Sequence, residues 1–548
     1  MQLTEFDKIV EAAKAKSAAF KCNLYCCYST GCVSSGCGDV VKAVQEALVS
    51  HGCDKVVRIV KTGCMGLCSH GPLMRVEVEG QKPVLYSEIR PLVARLIIAE
   101  HIVPALSLEK GADFNVPDFL SGFVLPLDIP FFSKQMKIVL ANTGHIDPEL
   151  IDDYLARGGY QALKKVLTEM TPQQVVEEVL TSGLRGRGGG GYPTGLKWKN
   201  AAPSQGAEKF VICNGDEGDP GAYMDRSVLE GDPQCVIEGM LIAAYAIGAT
   251  SGWFYIRTEY PLAVDRVEKA IKQARKAGFL GKNIFGTKFS FDCDIRLGAG
   301  AFVCGEETAL IASIEGRRGT PHPRPPYPSQ KGLWGMPSCV NNVETLANVP
   351  HILMKGGAWY ASIGTPESRG TKVFALTGKV KHSGLIEVPM GMTLRTIIEE
   401  IGGGPSTGKK IKAVQTGGPS GGVIPSEFLD TPVCYDQLKK LGSIMGSGGM
   451  IVLDEDDNMV DIAAFYLDFT ADESCGQCSP CRIGGRQLLE LLKKVKSGKG
   501  SMDDLALIKR LSLTMKKASL CGLGQTAPNP VLSTLKYFEN EYLERIKN

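Results

Sequence analysis

The sequence predicts a multidomain α/β protein that ends in a helical bundle. Three observations carry this. The chain has 548 residues, too many for a single hydrophobic core. Between about 136 and 365, apolar runs such as KFVICN and GWFYIR alternate with helical stretches such as PLAVDRVEKAIKQARKAG, the pattern of a sheet covered by helices. Beyond about 451 the spacing is helical throughout, in MVDIAAFYLDFT, CRIGGRQLLELLKKVKSG, SMDDLALIKRLSLTMKKA and PVLSTLKYFENEYLERI.

Taken in order, residues 1–105 read as a small α/β unit. GDVVKAVQEALVSHG carries a helical stripe at Val40, Val41, Val44, Ala47 and Leu48. KVVRIV, LMRVEVE and PVLYSEI are short strands, and IRPLVARLIIAEHIV returns to helix. Residues 106–135 lack a period and read as a linker. Residues 136–365 form the largest unit, with most of the loop glycine. Residues 366–450 read as a small α+β module: the hairpin TKVFALTGKV and LIEVPMG, the helix TLRTIIEEIGGG, then the returning strand KIKAVQTGG. Residues 451–548 form the helical unit, where Ser501 and Asp504 have the spacing of a capping box.

Basic and acidic residues number 61 and 59, a net charge of +2, which leaves no footprint for nucleic acid. The opening MQLTEFDKIVEAAKAK has the period of an amphipathic helix and carries acids, unlike a secretory leader. The longest apolar run, VIEGMLIAAYAIGATSGWFY, is interrupted by glycines and an acid. The expectation is a cytoplasmic protein without direct membrane insertion.

Eighteen cysteines in a reducing compartment point to metal chemistry rather than disulfides. Twelve of them fall into two groups. In ESCGQCSPCRIGG, Cys475, Cys478 and Cys481 are spaced C-x2-C-x2-C, and Cys521 in SLCGLGQTAPNP can return to that loop through a helical hairpin. A tight triplet with a distant fourth thiol favours a [4Fe–4S] cluster over structural zinc, which usually arrives as two separated C-x2-C knuckles. At the other end, KCNLYCCYSTGCVSSGC and KTGCMGLCSHGP combine C-x4-C with C-x3-C, a set suited to [2Fe–2S]. Cys22/Cys27, Cys27/Cys32 and Cys32/Cys37 all have the first spacing. Cys27 and Cys32 flank the turn YSTG, so Cys27, Cys32, Cys64 and Cys68 are the chosen ligands, with His70 nearby. Cys213, Cys235, Cys293, Cys304, Cys339 and Cys434 read as packing residues.

SGLRGRGGGGYPTGLKWKN contains G-x-G-x-x-G at Gly186, Gly188 and Gly191, but helical sequence precedes it, so the ordinary dinucleotide fingerprint fails its context. A glycine run still lets backbone approach a phosphate or a flat ring. Arg185, Arg187 and Lys197 add positive charge. CNGDEGDPGAYMDR places Asn214, Asp216 and Glu217 at the end of a strand. GAGAFVCGEETALI places Gly305, Glu306 and Glu307 at a helix start, and CVNNVETLANV offers Asn341, Asn342 and Thr345. GGPSTGKK at 403–410 only imitates a P-loop, since Lys410 stands where the Mg²⁺-binding hydroxyl belongs.

These motifs, with GLWGMPSCVNNVETLANV, closely resemble the NADH-oxidising flavoprotein subunit of respiratory complex I and its relatives, from about 136 to 540. Residues 1–105 are similar to the thioredoxin-like [2Fe–2S] domain that complex I carries on a separate subunit. Such fusion resembles the diaphorase flavoprotein of NAD-reducing [NiFe]-hydrogenases, β subunits of bifurcating hydrogenases, and NAD-dependent formate dehydrogenases. The further ferredoxin-like cysteine runs of many bifurcating subunits do not appear in this sequence, which shifts the expectation toward the hydrogenase diaphorase type or a bifurcating relative lacking them.

The resemblance implies a thioredoxin-like ferredoxin domain (1–105), a Rossmann-like FMN and NADH domain (136–365), a β-grasp domain (366–450) and a helical [4Fe–4S] domain (451–548). It implies FMN held by Gly186, Gly188, Lys197, Asn214, Asp216, Glu217, Gly305, Glu306, Asn341, Asn342 and Thr345. Tyr192 and Tyr327 would flank the adenine of NADH, and Glu307 would lie near its ribose or nicotinamide. Family members often have Phe at these two tyrosines, and an aromatic where this chain has Asn200. Hydride would pass between NADH and FMN without a side-chain acid or base, and single electrons would pass through the clusters to or from partner redox subunits. Acids Glu217 and Glu307 would repel a 2′-phosphate, favouring NADH over NADPH. Two other readings compete: an electron-relay subunit without active flavin, and a zinc-stabilised scaffold.

Overall fold

The computed structural model describes residues 3–108 and 114–546. Positions 109–113 of the expected linker, and the outermost two residues of the first and last expected units, lie outside the described residues.

The first sheet comprises β1 (Cys22–Cys27), β2 (Val57–Thr62), β3 (Met74–Val78), β4 (Val84–Tyr86) and β5 (Val124–Leu125), in the order β2-β1-β3-β4-β5. β1 and β2 are parallel, joined by a crossover that includes helix Cys37–Ser50; β3, β4 and β5 follow antiparallel. The expected linker is therefore partly structured. It supplies β5, and Phe131 in its helix Pro130–Ser133 is fully buried in a cluster with Leu376 and Ile386 of the third unit. A two-residue edge strand and a one-turn helix have no period for the sequence to display. The first helix, Leu3–Ser17, also departs from the expected grouping. Phe6 meets Phe279 and Phe285 edge-on at centroid distances of 5.9 and 5.2 Å, so this helix packs on the central unit.

The central sheet has four parallel strands, β6 (Phe210–Gly215), β7 (Ser251–Arg257), β8 (Asp292–Gly298) and β9 (Ser338–Asn342), in the order β8-β7-β6-β9. From β6 the chain winds outward to β7 and β8, then returns to lay β9 on the other side of β6. The strand order reverses between β6 and β9, and α/β folds open a ligand crevice at the carboxyl ends of the strands there. The register pairs Cys213 with Asn341 and Asn214 with Asn342, so two asparagines close the strands side by side. The long apolar run, residues 236–255, is split between helix Pro233–Ile247, buried on nearly every face against this sheet, and the start of β7. Among the described residues no helix is long and apolar enough to cross a membrane.

The third sheet comprises β10 (Thr371–Gly378), β11 (Gly384–Pro389), β12 (Ile411–Thr416), β13 (Gly422–Pro425) and β14 (Gly449–Asp454), ordered β11-β10-β14-β12-β13. The expected hairpin is β10–β11. The expected return of β12 beside the hairpin is replaced by β14, which lies between them, parallel to β10 and antiparallel to β12. β14 crosses the expected boundary at 450/451, so this unit reaches Asp454. A buried ion pair joins it to the central unit: Lys372 Nζ contacts a Glu344 carboxylate oxygen and donates to Val373 O at 2.9 Å, while Glu344 accepts from Val373 N at 2.9 Å. The last unit is the expected bundle, with the capping box present: Ser501 Oγ accepts from Asp504 N at 3.3 Å and Asp504 accepts from Ser501 N at 2.8 Å.

Removing one partner of a buried pair strands the other charge, at about 3–5 kcal/mol. Urea unfolding of Lys372→Met should show a loss of that order, and adding Glu344→Leu should recover most of it.

Candidate active site and cysteine centres

The crevice is built from the strand ends upward. Asn214 donates through Nδ2 to Gly305 O at 2.9 Å and accepts from Asp216 N at 3.1 Å. Asn342 caps helix Val343–Lys355 by accepting from Thr345 N at 3.2 Å, and its Nδ2 donates to Asp225. Above them runs the glycine loop. Arg187 N donates to Thr345 Oγ1 at 2.8 Å, and a Cβ on Gly188 would stand 3.1 Å from Asn342 Cβ. Gly189 has φ +117° and bridges to Gly446 of the third unit, while Tyr435 of that unit donates its hydroxyl to Gly186 O at 2.9 Å. Gly188 and Gly190 stay exposed, and a Cβ on Gly190 would meet nothing within 4 Å.

The positive charge expected of the loop is mostly directed into the protein. Arg187 is fully buried and donates to Thr371 O, Arg185 O, Arg369 O and Tyr360 Oη. The Arg185 guanidinium lies 4.2 Å from the Tyr435 ring centroid and donates to Gly191 O at 2.7 Å. Both arginines staple the loop. Lys197 instead reaches Glu307 at 3.1 Å and Val340 O at 2.9 Å.

Glu306 caps helix Glu307–Ile314, accepting from Thr308 N at 2.9 Å and Ala309 N at 3.1 Å. Burial would push the Glu307 carboxyl up, but Lys197 and Arg324, the latter at 2.8 Å, hold it below the usual range. Tyr192 and Tyr327 are 49% and 52% exposed, which leaves ring faces free for a stacking partner. Glu217 is different from expectation. It is buried and accepts from Asp225 N at 3.1 Å and Arg226 N at 3.0 Å, capping helix Met224–Gly231, so it presents no surface charge to a nucleotide phosphate. Asn341 likewise points away from Asn342, as alternate strand residues must, and accepts from Trp198 Nε1 at 3.0 Å, which seats the helix bearing Lys197.

Burial pushes Asp216 up to about 7 despite Arg257, and its Oδ2 is buried without a partner. That orphaned oxygen, the bare glycines and the exposed tyrosines fit a ligand with a flat ring and polar substituents. Asp225, Arg324 and Tyr435 are parts of the site that the motifs did not single out. The first two stand inside or beside quoted motifs; Tyr435 is 249 residues from the glycine it touches, beyond any local signal.

Cys475, Cys478, Cys481 and Cys521 line one pocket with Val303, Pro321, Leu520 and Leu523. The hairpin of helices Ser479–Lys496 and Met502–Ala518 returns Cys521 to the loop as expected. Cys478 sits at the N-terminus of the first of these helices, where backbone N–H groups favour negative charge. Burial pushes Cys481 and Cys521 up, so both are thiols until a metal displaces the proton. Four thiols converging on one pocket, with Ser474 and Gln477 beside the apolar Val303, Pro321, Leu520 and Leu523, fit a cluster. This pocket and the crevice share one turn, Phe302–Gly305: Val303 lines the first, Gly305 borders the second, and Phe302 N donates to Glu473 at 2.8 Å.

The N-terminal cysteines also meet. Cys27 and Cys32 are 3.2 Å apart at sulfur, Cys64 and Cys68 3.6 Å, and the Cys27 and Cys64 thiols interact directly. Cys22 and Cys26 lie in a separate core behind β1, so the alternative C-x4-C pair starting at Cys22 does not assemble with the second loop. His70 faces His382, at 5.4 Å between ring centroids, and Glu88. Among the described residues no group of three or more His, Cys, Asp and Glu is arranged to hold a single metal ion; the two cysteine sets are defined by a shared pocket and by thiol contacts. The six scattered cysteines are buried, as expected of packing residues.

Family comparisons agree with this layout. Residues 179–351 match the Nuo51 FMN-binding domain, 461–545 the NADH-ubiquinone oxidoreductase-F iron–sulfur binding region, and 373–424 the SLBB domain. The chain is 58% identical over 409 residues to the NADP-reducing hydrogenase subunit HndC of Solidesulfovibrio fructosivorans, covering 75% of this chain and 83% of that one. It is 44% identical over 410 residues to the second F-type subunit of the NADH-quinone oxidoreductase of Rhizobium meliloti, covering 75% of this chain and 97% of that one. A crystal structure of an NAD⁺-reducing [NiFe]-hydrogenase in the H2-reduced state matches 98% of this chain and 87% of its own at 28% identity, with a TM-score of 0.67. Fold and site thus define an NADH dehydrogenase-type oxidoreductase with an FMN-binding domain and a [4Fe–4S] region. The chain belongs to the family of F-type flavoproteins of NADH-quinone oxidoreductase.

The raised Asp216 carboxyl has a pH signature. Between about 4 and 7 the unfolded chain ionises this group while the folded chain keeps it protonated, so stability falls as pH rises and the penalty is complete above about 7. In cofactor-free protein, Asp216→Asn should match the wild type at pH 4 and exceed it by up to about 4 kcal/mol at pH 8, measured by denaturant unfolding.

Proposed function

We propose that this chain is the NAD(H)-linked diaphorase subunit of a multi-subunit redox enzyme, a soluble NAD-linked [NiFe]-hydrogenase, with the crevice residues holding FMN and the nucleotide. Bound there, FMN would supply chemistry that joins two-electron hydride exchange with NADH to one-electron exchange with iron–sulfur clusters. The observation that carries the reading is the shared turn Phe302–Gly305, which sets the crevice against the four-cysteine pocket.

The side chains have distinct tasks in this reading. Asn214, Asn342 and the glycine loop shape a bed for the ring and phosphate, and Asp216 offers an acceptor or donor to its polar edge. Lys197 and Arg324 keep Glu307 ionised at the mouth, where it would bind ribose hydroxyls and disfavour a 2′-phosphate. Tyr192 and Tyr327 cover the adenine. No acid or base is required of the chain. Cys475, Cys478, Cys481 and Cys521 hold the [4Fe–4S] cluster. The first sheet is read as a thioredoxin-like domain with [2Fe–2S] on Cys27, Cys32, Cys64 and Cys68, and the third as β-grasp. Partner subunits, one a small iron–sulfur protein, exchange electrons with these clusters.

Purified chain should reduce viologen or ferricyanide with NADH and release FMN on denaturation; protein without flavin and without NADH oxidation would end this reading. Its kcat/KM should be higher for NADH than for NADPH, and Glu307→Gln should narrow the gap. Cys521→Ala should lose the [4Fe–4S] electron paramagnetic resonance (EPR) signal while retaining FMN.

A further inference from the structure

One short helix touches both the crevice and the N-terminal cysteines. At its start, helix Met224–Gly231 is held to the crevice: Asp225 accepts from Asn342 Nδ2 and from Glu344 N, and Glu217 accepts from the helix N–H groups. At its end, the fully buried Glu230 accepts from Ser29 Oγ, Thr30 Oγ1 and, at 3.0 Å, Thr30 N, the loop that leads from Cys27 to Cys32. Just before the helix, Tyr223 places its hydroxyl 3.9 Å from Cys68 Sγ.

We propose that Tyr223 is a positioning residue that sets the reduction potential of the N-terminal [2Fe–2S] centre by donating an O–H···S hydrogen bond to Cys68. This rests on the reading of Cys27, Cys32, Cys64 and Cys68 as its ligands. The ring of Tyr223 packs on the core of the central unit, so its Cζ–Oη bond is aimed by that packing. The Arg226 guanidinium stands 5.6 Å from the ring centroid. Only the hydroxyl reaches the sulfur, so a phenylalanine would preserve the packing and remove the donor. Donation to a ligand thiolate offsets negative charge, which favours the reduced cluster and raises its potential. The link also means that the crevice helix, through Asp225 and its bond to Asn342, fixes where that donor stands.

The test is an EPR-monitored redox titration of the full chain with its flavin and clusters in place. Tyr223→Phe should lower the [2Fe–2S] midpoint by about tenfold in the one-electron equilibrium, 59 mV, and leave the [4Fe–4S] midpoint unchanged. Fluorotyrosine at position 223, a stronger donor of nearly the same shape, should move the [2Fe–2S] midpoint the opposite way, which keeps the test open if the phenylalanine variant does not fold. Unchanged midpoints, or both clusters moving together, would overturn the proposal. Absence of any [2Fe–2S] signal from the wild-type chain would instead overturn the ligand assignment beneath it, and Cys68→Ser checks that assignment separately.

Discussion

The rest of the site depends on the reversal of strand order between β6 and β9. Two parallel strands end side by side while their onward connections leave in different directions, which opens the crevice at the strand ends. Asn214 and Asn342 finish those strands, and each is committed to holding a neighbouring loop. One ties down the turn at Gly305; the other caps the helix that receives the glycine loop and anchors Asp225. The crevice is thus walled by short polar bridges between separate segments.

Both cysteine centres inherit their positions from this arrangement. The four-thiol pocket leans on the turn Phe302–Gly305, and the N-terminal thiols lean on helix Met224–Gly231. Close backbone contact reinforces the second: a Cβ on Gly63 would stand 2.5 Å from Gly231 Cα, and Leu385 N donates to Gly66 O at 2.8 Å, so segments of the first three units meet around Cys64 and Cys68. Buried acids serve as the fasteners. Glu217, Glu230, Glu344 and Glu387 are each nearly inaccessible and each accepts from backbone N–H groups. Glu230, Glu344 and Glu387 join segments distant in sequence, while Glu217 closes the turn into the next helix.

Much of this was legible in the linear chain. The alternation of strands and helices in 136–365, the β10–β11 hairpin, the C-terminal helices and the Ser501 capping box are local patterns, and they stand as read. The cysteine spacings pointed to the two thiol groups that assemble. What misled was chemistry whose meaning depends on direction. Arg185 and Arg187 look like ligand-facing charge, yet their partners are carbonyls and rings of the protein. Glu217 looks like a surface acid, yet it caps a helix. Boundaries failed where pairing is non-local, as at β5, β14 and the first helix.

The sequence by itself determined which residue types are present and how they are spaced: three thiols within one turn, a glycine run free of side chains, asparagines closing a strand. Periodicity and short-range sterics are local, so they can be read without a fold. Tertiary structure decided which of these groups meet. It brought Cys32 to Cys27 and left Cys22 in a separate core, seated Asn341 against Trp198, buried Arg187, and set Tyr435 against a glycine 249 residues away. Those outcomes follow from which surfaces are buried together, and burial is a property of the whole chain.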